Sequence, residues 1–200
     1  MAHESIRGRV VVTTGTWNTV YGEDGKFYEC SVRGKFKVQE GLNATNPIAV
    51  GDVVQFEMKS TGDRGVIFDI EDRKNYLVRQ SPKKPSKVHV IATNLDQALV
   101  VFTLDYPRVK QGFIDRFLVT AEAYDIKPLI IINKNDLYDE KLSQKRDHLV
   151  SLYRSLGYAV FCVSAETGYQ LPGLKQQLEG QVSLITGPSG VGKSSLMNAL

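Results

Sequence analysis

A glycine-rich segment late in the chain constrains the fold more than any other feature. Residues 187–194 read GPSGVGKS, which fits the pattern G-x-x-x-x-G-K-S/T. An apolar run precedes this segment and helix-forming residues follow it. Glycines between a strand and a helix let backbone N–H groups point inward around phosphate oxygens. The segment therefore predicts a phosphate-binding loop on an α/β sheet; the alternative is a glycine-rich turn without a ligand.

The side chains of this segment predict its chemistry. Lys193 can reach the β- and γ-phosphates, and we assign it the catalytic role of neutralising charge that develops during phosphoryl transfer. The Ser194 hydroxyl is the predicted Mg²⁺ ligand. The predicted nucleotide contacts are Gly187, Pro188, Ser189, Gly190, Val191, Gly192, Lys193, Ser194 and Ser195.

A second motif, NKND, selects the base. It comprises Asn133, Lys134, Asn135 and Asp136, follows an apolar run, and matches the pattern N-K-x-D. Asp136 can accept hydrogen bonds from the guanine ring N–H and exocyclic amine, whereas adenine presents an unprotonated ring nitrogen there. Asn133 would brace the loop, and the stem of Lys134 would lie over the base. We include all four residues in the predicted site, although a polar loop after a strand would look similar.

A third motif, SAETG, begins at Ser164 and follows another apolar run. The backbone N–H of Ala165 would face guanine O6, and Ser164 and Ala165 join the predicted site. A simple turn explains this motif equally well when it is taken alone. However, all three motifs follow predicted strands, and open α/β sheets bind ligands at the carboxyl ends of their strands. We therefore expect the three motifs to meet at one purine nucleotide pocket.

The beginning of the chain has an all-β pattern. Short β-rich runs separated by glycine and aspartate turns predict a small barrel, for which the OB-fold is the candidate, although other five-stranded barrels would look similar. The predicted strands are Gly8–Thr14, Trp17–Tyr21, Lys26–Val32, Val53–Met58 and Val66–Ile70.

The rest of the chain alternates strands and helices, which predicts a parallel sheet covered on both faces. The predicted elements are Ala98–Phe102, Gln111–Tyr124, Pro128–Ile132, Glu140–Leu156, Ala159–Val163, Leu171–Leu178, Val182–Thr186 and a helix from Gly192. We place the barrel at residues 1–72, a basic linker at 73–87 and the α/β domain at 88–200.

Composition narrows the class of protein. The net charge is +3, and its excess lies in the first 87 residues, which favours a phosphate-rich partner or a solvated linker. Arg33, Lys35, Phe36 and Lys37 are a hypothetical RNA contact. The chain has two cysteines and no membrane-length apolar run. These features indicate a cytoplasmic protein without a disulfide scaffold or membrane contact.

In an ordinary GTPase the phosphate loop precedes the base-recognition motifs, whereas here it follows them. This order, behind a barrel, resembles the ribosome small-subunit-dependent GTPase family of RsgA type, with a circularly permuted GTPase domain. The segments that carry the resemblance are Gly51–Val54, Ile114–Leu118, Asn133–Asp136, Ser164–Gly168 and Gly187–Ser195. The resemblance implies an OB-fold and binding of GTP/GDP with Mg²⁺. It also implies binding to the small ribosomal subunit (16S rRNA) in late maturation and hydrolysis of GTP stimulated by the ribosome. We also expect a monomer.

The sequence departs from this family in its extent. The switch segments, the D-x-x-G motif and a zinc domain would follow Leu200, so we expect a longer natural polypeptide or a truncated form. Zn²⁺ is expected only in that missing segment, and turnover by residues 1–200 alone is not expected. Two alternatives stay open: an RNA-binding module that binds guanine nucleotide without turnover, and a P-loop ATPase or kinase with an accidental NKND match.

Overall fold

The computed structural model describes residues 5–33, 44–59, 64–80 and 87–200. The chain divides into two compact units, Met1–Leu95 and Asp96–Leu200. This division lies after the boundary predicted from sequence, because residues on both sides of the proline-rich segment pair with each other in the first unit. No helix among the described residues is both long enough and apolar enough to span a membrane.

The first unit contains the predicted barrel. Its strands are β1 (Ile6–Thr13), β2 (Asn18–Gly22), β3 (Phe27–Val32), β4 (Val53–Met58) and β5 (Gly65–Ile70). They close in the order β1-β2-β3-β5-β4, with β3 and β5 parallel and the other pairs antiparallel. Alternate side chains such as Val10, Val20 and Phe56 are fully buried inside. The predicted OB-type barrel is confirmed.

A hairpin that sequence analysis missed follows the barrel. Strand β6 (Tyr76–Gln80) pairs antiparallel with β7 (Val88–Thr93), so β6 lies inside the segment predicted as a linker. Arg73, the first residue of the predicted basic linker, forms a buried ion pair with Asp52 at 2.8 Å. The Thr93 hydroxyl donates to the same carboxylate at 2.8 Å. These long-range contacts fix the hairpin against the start of β4.

The second unit is the predicted α/β domain. Its elements are β8 (Gln97–Phe102), α1 (Gln111–Ala123), β9 (Lys127–Ile132), α2 (Glu140–Ser155), β10 (Ala159–Cys162), α3 (Leu171–Leu178), β11 (Ser183–Thr186) and α4 (Lys193–Ala199). The strands lie in the order β10-β9-β8-β11, and every pair is parallel. One short 3₁₀ turn, Asn135–Leu137, was not predicted.

The centre of this sheet is apolar on both faces. Every residue of β8 is buried, as is the second half of β9. One face packs on α1 and α2 through residues such as Phe102 and Ile114, and the other packs on α3 and α4 through residues such as Leu174 and Leu196. A sheet buried on both faces explains why its strands read as continuous apolar runs. It also holds the carboxyl ends of β9, β10 and β11 together at one edge.

Candidate nucleotide site

The side chain of Asn133 joins the three motifs. It is 1% exposed. Its Nδ2 donates to the Val191 carbonyl at 2.9 Å, and its Oδ1 accepts from the Ala165 N–H at 3.2 Å. A neutral amide offers a donor and an acceptor together, so one asparagine satisfies backbone groups of both neighbouring loops. The brace predicted for Asn133 therefore connects the loops that follow β9, β10 and β11.

Two glycines shape the phosphate loop around this contact. Gly187 has φ +149°, and a Cβ there would overlap the Val101 carbonyl oxygen. Gly192 has φ +88°, and a Cβ there would lie 2.5 Å from Nδ2 of Asn133. Larger residues would be strained at both positions and would lack room. The glycine at 192 therefore gives Asn133 its space beside the loop.

Lys193 spans the phosphate loop from its far end. Its Nζ donates to the carbonyls of Gly187 at 2.9 Å and Pro188 at 2.7 Å. An ammonium has three N–H donors, so these bonds fix its direction and still leave one donor for a phosphate oxygen. Ser194 and Ser195 are exposed at the start of α4, where both hydroxyls can meet a ligand.

The tip and the base of the loop differ in exposure. Ser189 and Gly190 are exposed at the tip, whereas Val191 is fully buried beneath it. The apolar Val191 side chain packs with the α3 and α4 side of the core. The loop is therefore anchored from below and open above, as a cradle for phosphates needs to be.

A cavity of about 280 Å³ lies beside the loop. Its lining residues come from all three motifs and are Asn133, Lys134, Asp136, Leu137, Ala165, Glu166, Gly192 and Ser195. The exposed Asp136 carboxylate thus shares one cavity with the last residues of the phosphate loop. Lys134 has a left-handed backbone with φ +62°, and its Nζ donates to the Tyr106 carbonyl at 2.7 Å. This bond places the lysine stem along the cavity wall.

Two residues that were predicted to contact the nucleotide do not line this cavity. The Asn135 carboxamide oxygen accepts from Nη1 of Arg146 at 2.6 Å, and Asn135 is not among the residues that line the cavity. Ser164 is fully buried, and its Oγ accepts from the Thr167 N–H at 3.1 Å. Both residues therefore shape their loops rather than the cavity surface.

Sequence reasoning missed a tyrosine behind the motif. The Tyr138 hydroxyl donates to the Asn133 carbonyl at 2.6 Å and accepts from the Leu104 N–H at 3.1 Å. Burial raises the pKa of Tyr138 to about 12, so this hydroxyl keeps its proton at neutral pH. Glu166 was also missed as a wall of the cavity. The N-K-x-D pattern ends at Asp136 and does not include Tyr138. The only sequence signal for Tyr138 was its position two residues after the motif.

Family models match both units of the chain. The model described as RsgA GTPase matches residues 70–200, and the one described as RsgA N-terminal domain matches residues 7–67. The chain belongs to the RsgA family. The predicted resemblance is thereby confirmed.

Curated relatives agree with this assignment. The small ribosomal subunit biogenesis GTPase RsgA of Bacteroides fragilis is 44% identical over 195 residues, which cover 98% of this chain and 62% of the relative. The RsgA protein of the same name from Christiangramia forsetii is 45% identical over 198 residues, with the same coverage. The chain therefore spans less than two thirds of the length of the curated relatives it matches.

Solved structures confirm the fold of the RsgA family for this chain. The crystal structure of YjeQ from Thermotoga maritima has a TM-score of 0.79 and 36% identity, covering 98% of this chain and 65% of that protein. The structure of YloQ, described as a circularly permuted GTPase, has a TM-score of 0.72 and 30% identity, covering 98% and 64%. The barrel and the permuted α/β order are shared with these proteins.

The room that Gly192 leaves for Asn133 can be tested against a matched glycine. Gly157 has a similar φ of +91°, but a Cβ there would meet nothing within 4 Å. We expect Gly157→Ala to cost about 1–2 kcal/mol of unfolding free energy from backbone strain alone. Gly192→Ala should cost a further ~1–3 kcal/mol, because it displaces the buried Asn133 amide from its partners. Urea unfolding followed by circular dichroism measures both variants, and equal losses would contradict this role of Gly192.

Proposed function

We propose that this chain binds GTP or GDP with Mg²⁺ and acts as the nucleotide-binding part of a GTPase in late maturation of the small ribosomal subunit. One observation carries the proposal: Asp136, Ala165 and Gly192, each from a different motif, line one cavity beside the phosphate loop. The names of the curated relatives supply the ribosomal context.

Guanine specificity follows from the side chains at the cavity. The Asp136 carboxylate is an acceptor-only group, which suits the ring N–H and amine of guanine and repels the bare ring nitrogen of adenine. The stem of Lys134, fixed through Tyr106, offers an apolar surface for one face of the base. Ala165 lines the same cavity, and in this proposal its N–H, which donates to Asn133 Oδ1 at 3.2 Å, also donates to guanine O6.

Phosphate binding follows from the loop. Lys193 is held between two loop carbonyls and presents its charge to the phosphate side of the site. A hard cation such as Mg²⁺ takes oxygen ligands and usually keeps waters and substrate phosphates, so one exposed hydroxyl from Ser194 fits it. When bound there, Mg²⁺ would offset negative charge on the phosphates.

Binding of a nucleotide and its hydrolysis make different demands on the site. The cavity walls of the described residues come from the loops after β9, β10 and β11, and β11 lies at one edge of the described sheet. The cavity is thus walled by loops from one edge of the sheet. This arrangement favours, as a second candidate, nucleotide binding by residues 1–200 without turnover.

The barrel offers a surface for ribosomal RNA. Tyr21 and Phe27 are 44% and 69% exposed, and their ring centroids lie 4.9 Å apart. Arg64 lies 4.4 Å over the Trp17 ring, while Tyr28 packs on the barrel core. Exposed aromatic rings and guanidinium planes are the groups on which unpaired bases stack. Of the hypothetical basic contact, Arg33 is exposed, and Lys35, Phe36 and Lys37 lie outside the described residues.

The cellular location, the oligomeric state and zinc binding belong to the same proposal. We place the function in the cytoplasm, because the relatives are named for biogenesis of the small ribosomal subunit. The monomeric state stays a prediction. Zinc binding by a later segment stays a prediction from the family resemblance.

Base selection is tested by Asp136→Asn. The carboxylate acceptor becomes an amide donor, so GTP affinity should fall by ~10²-fold or more while XTP affinity rises. Glu166→Gln is the matched control, since Glu166 lines the same cavity but has no assigned base contact. Competition of GTP, XTP and ATP against labelled GDP gives the ranking. Unchanged selectivity in Asp136→Asn, or strong ATP binding by the native chain, would overturn the guanine assignment and favour the ATPase reading.

Turnover is tested with small ribosomal subunits. We expect the rate of phosphate release from GTP by the natural polypeptide to rise when subunits are added. Lys193→Ala should abolish this release, because the phosphates lose the group that neutralises their charge. The same assay on residues 1–200 separates the two candidates. Tight GTP binding without phosphate release, both by the natural polypeptide and by residues 1–200, would instead support an RNA-binding module that does not hydrolyse GTP.

A further inference from the structure

A second cavity lies in the α/β unit, apart from the nucleotide site. Its volume is about 580 Å³, within the range of small-molecule pockets. Its floor is apolar and includes Phe102, Ile114 and Leu149. It shares no lining residue with the nucleotide cavity. We call it the accessory cavity.

The rim of the accessory cavity is positively charged. Arg108, Lys110 and Lys145 line it, and no carboxylate does. The side chains of these three residues form no hydrogen bond or ion pair with another described residue. By contrast, Arg146, which follows Lys145 on α2, is bonded to Asn135 and Asp147. Three unpaired cations above an apolar floor attract an anion that also carries an apolar body.

The accessory cavity is connected to the nucleotide site by the loop after β8. Arg108 and Lys110 are at the end of this loop, and its earlier residues contact the base-recognition motif. The Tyr106 carbonyl accepts from Lys134, and the Leu104 N–H donates to Tyr138, which in turn donates to Asn133. A ligand that draws Arg108 and Lys110 toward itself therefore acts on the residues that hold Lys134 and Asn133.

We propose that the accessory cavity binds a small organic anion, a phosphate or carboxylate on an aromatic or aliphatic body, and that its occupancy changes the affinity of the nucleotide site. The second half of this statement rests on the proposed nucleotide function. The charged rim would hold the anionic group, and the floor would cover the apolar body. Couplings of this kind typically change affinity by about 5-fold or more and are reciprocal.

Fluorescence of 1-anilinonaphthalene-8-sulfonate, an aromatic anion, tests the binding half on the folded chain with GDP and Mg²⁺ saturating. We expect the double variant K110Q/K145Q to weaken probe binding about tenfold, since each exposed contact contributes up to a few-fold. K127Q/K175Q removes two exposed lysines that do not line the cavity, so it is the charge-matched control and should bind the probe like the native chain. Equal binding by the native chain and the double variant would overturn the site.

Competitors define the chemistry of the ligand. Phenyl phosphate and phenylacetate should displace the probe, and their relative strength distinguishes a phosphate from a carboxylate head. Benzylamine, which has the opposite charge, should not displace it. Displacement by inorganic phosphate as strong as that by phenyl phosphate would overturn the apolar part of the proposal. Displacement by single-stranded RNA alone would overturn the small-molecule assignment.

The coupling is measured by dissociation of a fluorescent GDP analogue with and without phenyl phosphate. We expect the GDP dissociation constant to change by about 5-fold or more in the native chain and in K127Q/K175Q, and to stay constant in K110Q/K145Q. A change below about twofold in the native chain would refute the coupling. If the chain binds the probe as expected but binds no GDP, the proposed nucleotide function and the coupling are both refuted. The proposal that the accessory cavity binds an organic anion is then still supported.

Discussion

The hydrogen bonds of one buried carboxamide hold the candidate site together. Asn133 donates to the Val191 carbonyl of the phosphate loop and accepts from the Ala165 N–H of the third motif. Buried backbone groups without partners are costly, so each of these loops depends on the same side chain. The base cavity and the phosphate cradle keep their relative positions because they share this contact.

Chain order matters little to such a contact. Asn133 needs the ends of β9, β10 and β11 at one edge of the sheet, and the buried centre of β8 and β9 provides that edge in either order of the motifs. Gly192 leaves space for the amide, and Tyr138 holds the Asn133 carbonyl from the other side. A permuted GTPase domain of the RsgA family can therefore present the same convergence of motifs as an ordinary one.

Local patterns predicted much of this structure, and tertiary contacts account for most of what was missed. Apolar periodicity and turn residues revealed the barrel strands and the strand–helix alternation, since these depend on neighbouring residues. The β6–β7 hairpin was missed because its support includes a long-range ion pair between Arg73 and Asp52. Asn135 was assigned to the nucleotide because of its motif, but its side chain accepts a hydrogen bond from Arg146, eleven residues later. Sequence spacing gave no sign of either partnership.

The most direct measurement is a crystal structure of the chain with GDP and Mg²⁺. The account predicts the guanine edge within hydrogen-bonding distance of the Asp136 carboxylate, the β-phosphate beside Lys193, and Asn133 still bonded to Val191. A nucleotide whose phosphates meet Lys193 while its base lies away from Asp136, or one bound outside the shared cavity, would contradict it.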